Sequence, residues 1–350
     1  MAAKGKLLIG LDIGSSAVKM VELRDSKQGY FLNKFGLQPL PADVVVEGEV
    51  VDSAPVVEAI RKLRSQLGIG GKDVAASITC KWAVIKKISL PPMADFELEE
   101  QILYEAEQHV PFDIEEVYLD YQRVEEISPD KEEMEVLLVA AKREFVERHR
   151  GVLREAGLNC LVMDVDVFAL NNIYEANYPP SDEVVALVDL GASVMKVNVV
   201  AEGMSAFNRD VPLGSQTLDR EIQNQFNLSV EQAEAVKRGE EVEGIPPAEV
   251  ETLVQNYAMG VVTEVENSFE FFLATPFGKA IDAILITGGG SKTKDLIPLM
   301  SERTGLPVEM LNPCALVDWD KRKYSEEQIL DVAPFISVGM GLALRRIKEK

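Results

Sequence analysis

The feature that most constrains the fold of this chain is a short segment that occurs twice. Residues 10–20 read GLDIGSSAVKM, and residues 187–197 read LVDLGASVMKV. Aligning Asp12 with Asp189 also superposes the glycine, serine and lysine that follow each aspartate. Self-similarity over a long spacing indicates repeated structural units, so the sequence predicts two related halves.

Each copy predicts a strand, a tight turn and a second strand. Apolar residues 7–11 and 184–188 precede the two aspartates, and residues 17–23 and 194–200 follow the turns with the character of strands. The glycine of each turn allows a sharp reversal, so backbone amides can face a phosphate there. Each half is therefore expected to supply one phosphate-binding hairpin.

Further elements follow the first hairpin. Pro55 lies at a predicted first helical position and begins a helix with apolar residues at the 3.6-residue period. Residues 74–79 and 82–89 are predicted strands, and the prolines at 91–92 end this part of the chain. These elements complete a predicted α/β first half.

A strongly acidic segment then interrupts the pattern. Residues 95–135 are rich in Asp and Glu, yet residues 97–109 keep the apolar spacing of a helix. A strand at 136–140 and a helix that stops at Gly157 follow. We expect an inserted subdomain over residues 91–157, either with a groove for a basic peptide or with an acidic face that is merely solvated.

Late in the chain, three glycines follow a buried strand. The strand is predicted at residues 284–287, the glycines are Gly288, Gly289 and Gly290, and a helix is predicted to begin near Lys292. A glycine turn between a strand and a helix is typical of phosphate and nucleotide sites.

Charge and composition narrow the class of protein. The 350 residues include 36 Lys and Arg against 58 Asp and Glu, for a formal charge of −22, which disfavours nucleic acid and anionic lipid as partners. The three cysteines are far apart, so neither a disulfide framework nor a zinc site is expected. No apolar run approaches a membrane span, so neither a signal peptide nor direct membrane insertion is expected.

The aspartates are the strongest candidates for chemistry. Asp12 and Asp189 each end an apolar strand, where a carboxylate can hold Mg²⁺ through water. Lys19 can reach a β- or γ-phosphate, although strand alternation equally allows it to point into solvent. Short hydroxyl donors in the turns are Ser15, Ser16 and Ser193.

The paired DxG turns and the later GGG segment resemble the actin-like ATPase superfamily, over nearly the whole chain. The resemblance implies two duplicated α/β halves around a nucleotide cleft that binds ATP and Mg²⁺. The domains it implies are a first half at 1–90, an FtsA-like insertion at 91–157, a connecting helix at 158–181, a second half at 182–334 with a helical subdomain at about 215–275, and a C-terminal connecting helix at 335–350.

The resemblance also assigns roles to residues. The cofactor-binding positions that it implies are Asp12, Gly14, Ser15, Ser16, Lys19, Asp189, Gly191, Ala192, Ser193, Gly214, Glu234, Lys237, Gly288, Gly289, Gly290 and Gly339, with Mg²⁺ at Asp12 and Asp189. Glu234 and Lys237 resemble ribose and adenine contacts, but an exposed helix face explains their spacing equally well. The water-positioning acid is either Asp164 or Asp166, shorter than the usual glutamate, so slow or absent ATP hydrolysis is expected.

Within this superfamily, HVPFDIEEVYLDY at residues 109–121 resembles the PilM family of type IV pilus assembly proteins. That resemblance implies a cytoplasmic ATP-binding scaffold, peripheral to the inner membrane, which binds the N-terminal cytoplasmic peptide of PilN. It leaves open other partners among pilus platform or motor proteins, and self-association into a homo-oligomer.

Two alternatives belong to the same superfamily. An FtsA-like protein that polymerises at the membrane would need a C-terminal amphipathic anchor. The C-terminal residues ALRRIKEK do not have the pattern of such an anchor. A small-molecule kinase would need a substrate pocket, and sugar-kinase signatures are absent.

A Walker-type NTPase is disfavoured because no Gly-Lys pair has the required flanking residues.

Overall fold

The computed structural model of the chain describes residues 5–27, 29–124, 133–240, 242–276 and 278–347. Part of the acidic segment (125–132) and the last residues of the predicted final helix (348–350) lie outside the described residues. The strands are β1 (Lys6–Leu7), β2 (Ile9–Ile13), β3 (Ala17–Ser26), β4 (Gly29–Pro39), β5 (Val45–Val46), β6 (Glu49–Val50), β7 (Asp73–Ile78), β8 (Ala83–Leu90), β9 (Val117–Arg123), β10 (Met134–Lys142), β11 (Asn159–Val165), β12 (Val185–Leu190), β13 (Met195–Ala201), β14 (Met204–Val211), β15 (Ala283–Thr287), β16 (Val308–Met310), β17 (Val317–Trp319) and β18 (Arg346–Ile347). The α-helices are α1 (Ser53–Gln66), α2 (Asp95–His109), α3 (Arg143–Glu155), α4 (Asp166–Asn177), α5 (Ser215–Phe226), α6 (Val230–Lys237), α7 (Pro247–Leu273), α8 (Leu296–Thr304) and α9 (Glu326–Ala343).

The first half is built on a six-stranded sheet in the order β11-β7-β2-β3-β4-β17. β2, β3 and β4 form an antiparallel meander, and β7 and β11 extend the sheet in parallel from β2. Leu11 and Val18 of the hairpin are fully buried with Ile60 of α1 in one cluster. The predicted helix therefore covers this sheet through its apolar face.

The second half repeats this topology in a five-stranded sheet, β14-β13-β12-β15-β16. β12, β13 and β14 form the antiparallel meander, and β15 and β16 run parallel to β12. All six residues of β12 are buried, as expected for a strand covered on both faces. The equivalence of β2 with β12 and of β7 with β15 confirms the two duplicated halves.

The helices α4 and α9 connect the halves and pack closely, which requires glycine at their contacts. A Cβ atom on Gly10 of β2 would lie 1.9 Å from the oxygen of Gly339, and one on Gly341 would lie 1.7 Å from the oxygen of Ala169 in α4. Both distances are far below van der Waals contact. Small residues here let α9 lie directly on the hairpin strands and on α4.

The insertion has its own antiparallel sheet in the order β8-β10-β9. Leu98, Ile102 and Ala106 of α2 are buried against Val136 and Leu138 of β10. Since α2 covers one face, the opposite face of the sheet and the edge strand β9 are left for other contacts.

The strand pairing places the boundaries of the insertion differently from the sequence prediction. β8 begins at Ala83 and pairs within the insertion sheet, whereas the sequence placed the insertion at 91–157. Val152 and Leu153 of α3 are buried in the core of the first half. Residues 83–90 thus pack with the insertion, and α3 packs with the first half.

α1 and α2 each begin two residues earlier than predicted, α2 at Asp95 rather than at residue 97. α1 starts at Ser53 rather than at Pro55, because the Asp52 carboxylate accepts a hydrogen bond from the Ala54 amide at 3.1 Å. An Asp at this position satisfies one of the free amides of the first turn.

Two later helix starts also differ. The helix expected near Lys292 begins after Asp295, because the glycine segment forms a short 3-10 turn and Asp295 takes a positive φ of 58°. The final helix, predicted over residues 335–350, begins earlier at Glu326, because Ser325 provides a capping box. It also ends earlier, at Ala343, and the chain then forms β18. Across the described ranges, no helix combines the length and apolar character needed to cross a membrane.

Candidate functional site: the cleft between the two halves

The two repeated hairpins, β2-β3 and β12-β13, face each other across a cleft and share one turn geometry. The Gly14 amide donates to the Ala17 carbonyl, and the Gly191 amide donates to the Val194 carbonyl, both at 3.1 Å. A Cβ atom on Gly191 would lie 2.8 Å from the Val194 oxygen, so this turn needs glycine. The repeated sequence thus encodes a repeated local structure.

The tips of the hairpins touch. The hydroxyl oxygens of Ser15 and Ser193 lie 2.5 Å apart across the cleft. Ser16 and Ala192 lie beside them on the cleft wall. The two halves are therefore in direct contact at the hairpin tips.

The N-terminus of α5 supports the second hairpin from behind. The Ser215 amide donates to the Gly191 carbonyl at 3.0 Å, and the Gln216 amide donates to the Ala192 carbonyl at 2.9 Å. A Cβ atom on Gly214 would lie 2.2 Å from the Ala192 oxygen. Gly214 therefore acts on the site by letting α5 approach the hairpin, and its own atoms do not line the cleft.

Each hairpin aspartate is paired with a lysine directly opposite on the next strand. Lys19 Nζ lies 3.0 Å from Asp12 Oδ2, and Lys196 Nζ lies 3.4 Å from Asp189 Oδ2. The Lys19 side chain is only 15% exposed and lines the cleft. Of the two orientations that the sequence allowed for Lys19, the structure shows the inward one.

Asp166, the first residue of α4, adds a third carboxylate to the cleft floor. Its Oδ2 lies 2.9 Å from Lys196 Nζ. Burial raises the pKa of Asp166 to about 7, against the opposing effect of Lys196 and with a further upward contribution from Asp210. Burial alone would lower the pKa of Lys196, but the carboxylates of Asp166 and Asp189 outweigh it and raise that pKa well above its usual value.

Asp164 lies outside the cleft. Its Oδ2 lies 2.5 Å from Arg345 Nε, and it borders a second groove beside the insertion. Of the two acids proposed to position water, only Asp166 faces the hairpins.

The glycine segment after β15 lies against the second hairpin. Gly288 has a φ of 84°, and a Cβ atom there would lie 2.5 Å from Asp189 Oδ1. Gly289 lines the cleft, whereas Gly290 is buried, with Leu190 Cγ 2.6 Å from where its Cβ would be. The backbone of this segment therefore lies close to the cleft, and a side chain at Gly288 would collide with Asp189.

Glu234 and Lys237 have different environments although they share a helix face. Lys237 is 1% exposed, with its Nζ 2.7 Å from Asp219 Oδ1 and 3.0 Å from Glu234 Oε1. Glu234 lines the cleft, so Lys237 acts by holding Glu234 and Asp219 in place.

The cavity between the hairpins has a volume of about 430 Å³, within the usual range for small-molecule sites. The predicted residues that line it are Asp12, Gly14, Ser15, Ser16, Lys19, Asp166, Asp189, Gly191, Ala192, Ser193, Glu234, Gly288 and Gly289. The predicted residues outside its wall are Asp164, Gly214, Lys237, Gly290 and Gly339.

The sequence predictions left out Lys196, Asp219 and Arg220, which line the cleft, and Asp210, which pairs with Lys196 across β13 and β14. Lys196 was aligned with Lys19 by the repeat, and that alignment was the available signal for its role. Asp210 had no such signal, because its position depends on β14 pairing with β13, which sets Asp210 opposite Lys196.

A second concavity, which we call the insertion groove, lies between the insertion and α4 and has a volume of about 610 Å³. Strands β9 and β10 form one wall, and β11 and α4 form the other. The Oδ1 atom of Asn171 and the Nδ2 atom of Asn172, both on α4, are buried there without a hydrogen-bond partner in the described part of the chain. This groove therefore combines apolar walls with unsatisfied polar atoms.

With this geometry established, comparison with known proteins identifies the family. The family described as "Type IV pilus assembly protein PilM" matches residues 10–347. This chain belongs to the PilM family. The family resemblance of the sequence is thereby confirmed.

Solved structures agree with this membership. A structure described as "PilM-PilN type IV pilus biogenesis complex" is 28% identical, covers 98% of this chain and 99% of its own, and gives a TM-score of 0.85. The ethanolamine utilization protein EutJ from Carboxydothermus hydrogenoformans is 16% identical over 97% of this chain and 89% of its own, with a TM-score of 0.55. The second likeness concerns the fold alone, and together the two confirm the actin-like α/β fold of this PilM-family chain.

Proposed function

We propose that this PilM-family chain is a cytoplasmic, ATP-binding scaffold of type IV pilus assembly, which binds the N-terminal cytoplasmic peptide of PilN in the insertion groove. Family membership and the relative solved as a PilM-PilN complex support the pilus role and the partner. The proposal that the chain binds ATP rests on one observation, that two equivalent DxG hairpins face each other in one cleft.

The cleft residues fit a nucleotide with Mg²⁺. Mg²⁺ usually keeps several waters and binds through one or two carboxylates together with phosphates. Asp12 and Asp189 supply such carboxylates from opposite halves. Within the described ranges, no group of three or more His, Cys, Asp or Glu side chains is arranged to hold a metal directly, which suits this water-mediated mode. When bound, Mg²⁺ would neutralise phosphate charge.

The protein's own cations suit a triphosphate. Lys19 and Lys196 each approach the cleft from a hairpin strand and would meet phosphate oxygens as point charges. The tight turns at Gly14 and Gly191 bring backbone close to the same space. Gly289 and Glu234 line another part of the wall, which we assign to the nucleoside.

We further propose that hydrolysis is slow or absent. Asp166 is the cleft acid available to orient a water molecule, but its carboxylate is held by Lys196 at 2.9 Å. This contact holds one carboxylate oxygen and restricts how the side chain can turn towards an attacking water. The cleft is thus better suited to binding than to turnover.

The partner groove suits an extended peptide. β9 is the edge strand of the insertion sheet, and its residues border the groove. A free strand edge can pair with the backbone of an added strand, while pockets take alternate side chains. Leu137 and Val139 of β10 and Phe168 of α4 provide apolar walls for those side chains.

Among the described residues, the groove is lined by three acids, Asp120, Asp164 and Glu175, and by two arginines, Arg150 and Arg345. This small acidic excess favours a basic peptide. Asp120 on β9 and Glu175 on α4 stand on its two walls. Cytoplasmic segments next to membrane spans are commonly rich in Lys and Arg. Complementary charge would speed association of such a segment and orient it.

Calorimetry with Mg-ATP and with a synthetic peptide copying the N-terminal cytoplasmic residues of the cognate PilN tests both parts. Val139→Asp places a charge on the apolar wall and should weaken peptide binding at least about tenfold, the effect of about 1.4 kcal/mol. Mg-ATP binding should be unchanged. Val51→Asp, at a site 65% exposed and outside the groove, is the matched control and should keep both affinities.

Different outcomes separate the two parts. Absence of Mg-ATP binding by the wild-type chain would disprove the nucleotide role. Full peptide affinity in Val139→Asp would place the partner elsewhere on the surface. Recovery of pilus platform proteins from membranes with the wild-type chain, and not with Val139→Asp, would connect the groove to assembly.

A further inference from the structure

The chain enters the insertion from the first half through one short turn, and it returns where β10 runs directly into α3. β7 ends at Ile78, and the chain passes through Thr79 and the 3-10 turn Cys80–Trp82 before β8 begins the insertion sheet. The Trp82 ring stacks on Phe145 of α3, with ring centres 3.6 Å apart and planes at 14°. The turn is therefore packed against α3, and its position sets where β8 begins, the strand that pairs with the groove strand β10.

A side chain of the second half holds this turn. Asp210 Oδ2, on β14, accepts hydrogen bonds from Thr79 Oγ1 at 2.7 Å and from the Lys81 amide at 3.0 Å. Hydrogen bonds to an ionised carboxylate are roughly twice as strong as neutral ones. One carboxylate thus joins the second half to the attachment point of the insertion.

Asp210 also lies beside the charged cluster of the cleft, close enough to raise the pKa of Lys196. The register of β13 and β14 places it directly opposite Lys196, the lysine that contacts Asp166 and Asp189. Its second oxygen, Oδ1, is buried without a hydrogen-bond partner among the described residues. The same carboxylate therefore lies next to the cation of the cleft and bonds the turn of the insertion.

We propose that Asp210 is a positioning residue that couples nucleotide occupancy of the cleft to the insertion groove. This coupling rests on the proposed function. Phosphates in the cleft attract the Lys196 ammonium and so weaken its electrostatic interaction with Asp210. The hydrogen bonds from Thr79 and the Lys81 amide then compensate more of the Asp210 charge. The turn is then held more firmly, and the groove wall is better ordered for a peptide.

Coupling of this kind is reciprocal, so nucleotide and peptide should each strengthen the binding of the other. Couplings between two sites in one protein typically change affinity about 5- to 150-fold. A merely structural role for Asp210 would change stability but would not change the ratio of peptide affinities with and without nucleotide.

The test measures the dissociation constant of the PilN peptide with and without saturating Mg-ATP. The wild-type chain should bind the peptide about fivefold or more tightly with Mg-ATP. Asp210→Ala should reduce this factor to near one. Thr79→Val, which removes one of the two bonds and nearly keeps the shape of the side chain, should reduce it in the same direction and serves if Asp210→Ala fails to fold.

Asp43→Asn is the matched control. It removes another contact between the halves, the exposed ion pair in which Arg220 Nη2 lies 2.7 Å from Asp43 Oδ1, and it does not touch the turn. It should keep the wild-type factor. Two results would overturn the coupling alone. In one, the wild-type chain binds both ligands but binds the peptide equally tightly with and without Mg-ATP. In the other, Thr79→Val and Asp210→Ala keep the wild-type ratio of peptide affinities. Failure of the wild-type chain to bind Mg-ATP or peptide would overturn the proposed function and the coupling with it.

Discussion

The hydroxyl oxygens of Ser15 and Ser193 lie 2.5 Å apart, although 178 positions separate the two residues in the sequence. Each belongs to the tip of one repeated hairpin, so the halves meet where we propose that the phosphates bind. A phosphate group between the hairpins must part these two side chains. The contact therefore gives a direct probe of cleft occupancy.

Replacing both serines with cysteine should allow a disulfide to form across the cleft under mild oxidation. Mg-ATP should slow its formation, because phosphates between the hairpins separate the two sulfur atoms. Non-reducing electrophoresis and mass spectrometry of the linked peptides measure the rate.

The single variants Ser15→Cys and Ser193→Cys are the controls for that experiment. Burial raises the pKa of Cys160 to about 11 and that of Cys314 to about 12, so these native thiols should react slowly. Equal rates of cross-linking with and without Mg-ATP would argue against phosphate binding between the hairpin tips.

Asp12→Asn and Asp189→Asn should each weaken the dependence of ATP binding on Mg²⁺. Loss of an outer carboxylate of a metal site commonly costs about 10- to 100-fold in metal affinity. Calorimetric titration of ATP with Mg²⁺ and with EDTA gives this dependence directly. Asp320→Asn, which only loses an exposed pair with Arg322, is the control and should behave as wild type.

Steady-state release of phosphate should be well below the roughly 10 per second that is typical of enzymes. Asp166→Asn should lower any residual rate further while ATP still binds, because the variant keeps the shape of the side chain without its charge. A coupled phosphate assay measures this rate. Turnover at ordinary enzyme rates would contradict the view that Lys196 keeps Asp166 from orienting water.

His149 should make the chain less stable as the pH falls below about 6.5, the pKa of an unperturbed histidine. The residue is buried with Nδ1 3.1 Å from the Phe145 carbonyl oxygen, and burial lowers its pKa. The unfolded chain therefore binds more protons than the folded chain in this range, and the free energy of unfolding decreases with falling pH. That contribution is fully present above pH 6.5.

Urea unfolding at pH 8 and pH 5.5 measures this effect as the difference between wild type and His149→Gln. The stability advantage of the wild-type chain should shrink at the lower pH. His109→Gln, at the other histidine of the chain, is the control, since His109 is part-exposed beside Glu105. A pH-independent difference for His149→Gln would show that the imidazole is not buried in its neutral form.

Gly341→Ala should destabilise the chain, because the added methyl group would lie 1.7 Å from the Ala169 oxygen. Overpacking of this kind typically costs about 1–3 kcal/mol or more. Gly260→Ala is the matched control within α7, where an added Cβ meets nothing within 4 Å, and it should stabilise by up to about 1 kcal/mol. Similar unfolding midpoints for the two variants would contradict the close packing of α9 on α4.

Local sequence was enough to predict the repeated hairpins. Asp12 with Gly14 and Asp189 with Gly191 lie at strand ends and turns whose conformations depend on neighbouring residues. Helix starts were less predictable, because capping bonds such as that of Asp52 to the Ala54 amide decide them within one or two residues.

The sequence by itself determined the duplication, the turns and the two hairpin aspartates, since each follows from a pattern only a few residues long. The tertiary structure alone decided that Asp166 rather than Asp164 enters the cleft, and that Asp210 lies opposite Lys196 and bonds the turn at Thr79. These positions depend on strand register and on packing between segments that are far apart in the chain. No local pattern records such contacts, because their geometry is fixed only when the two halves fold against each other.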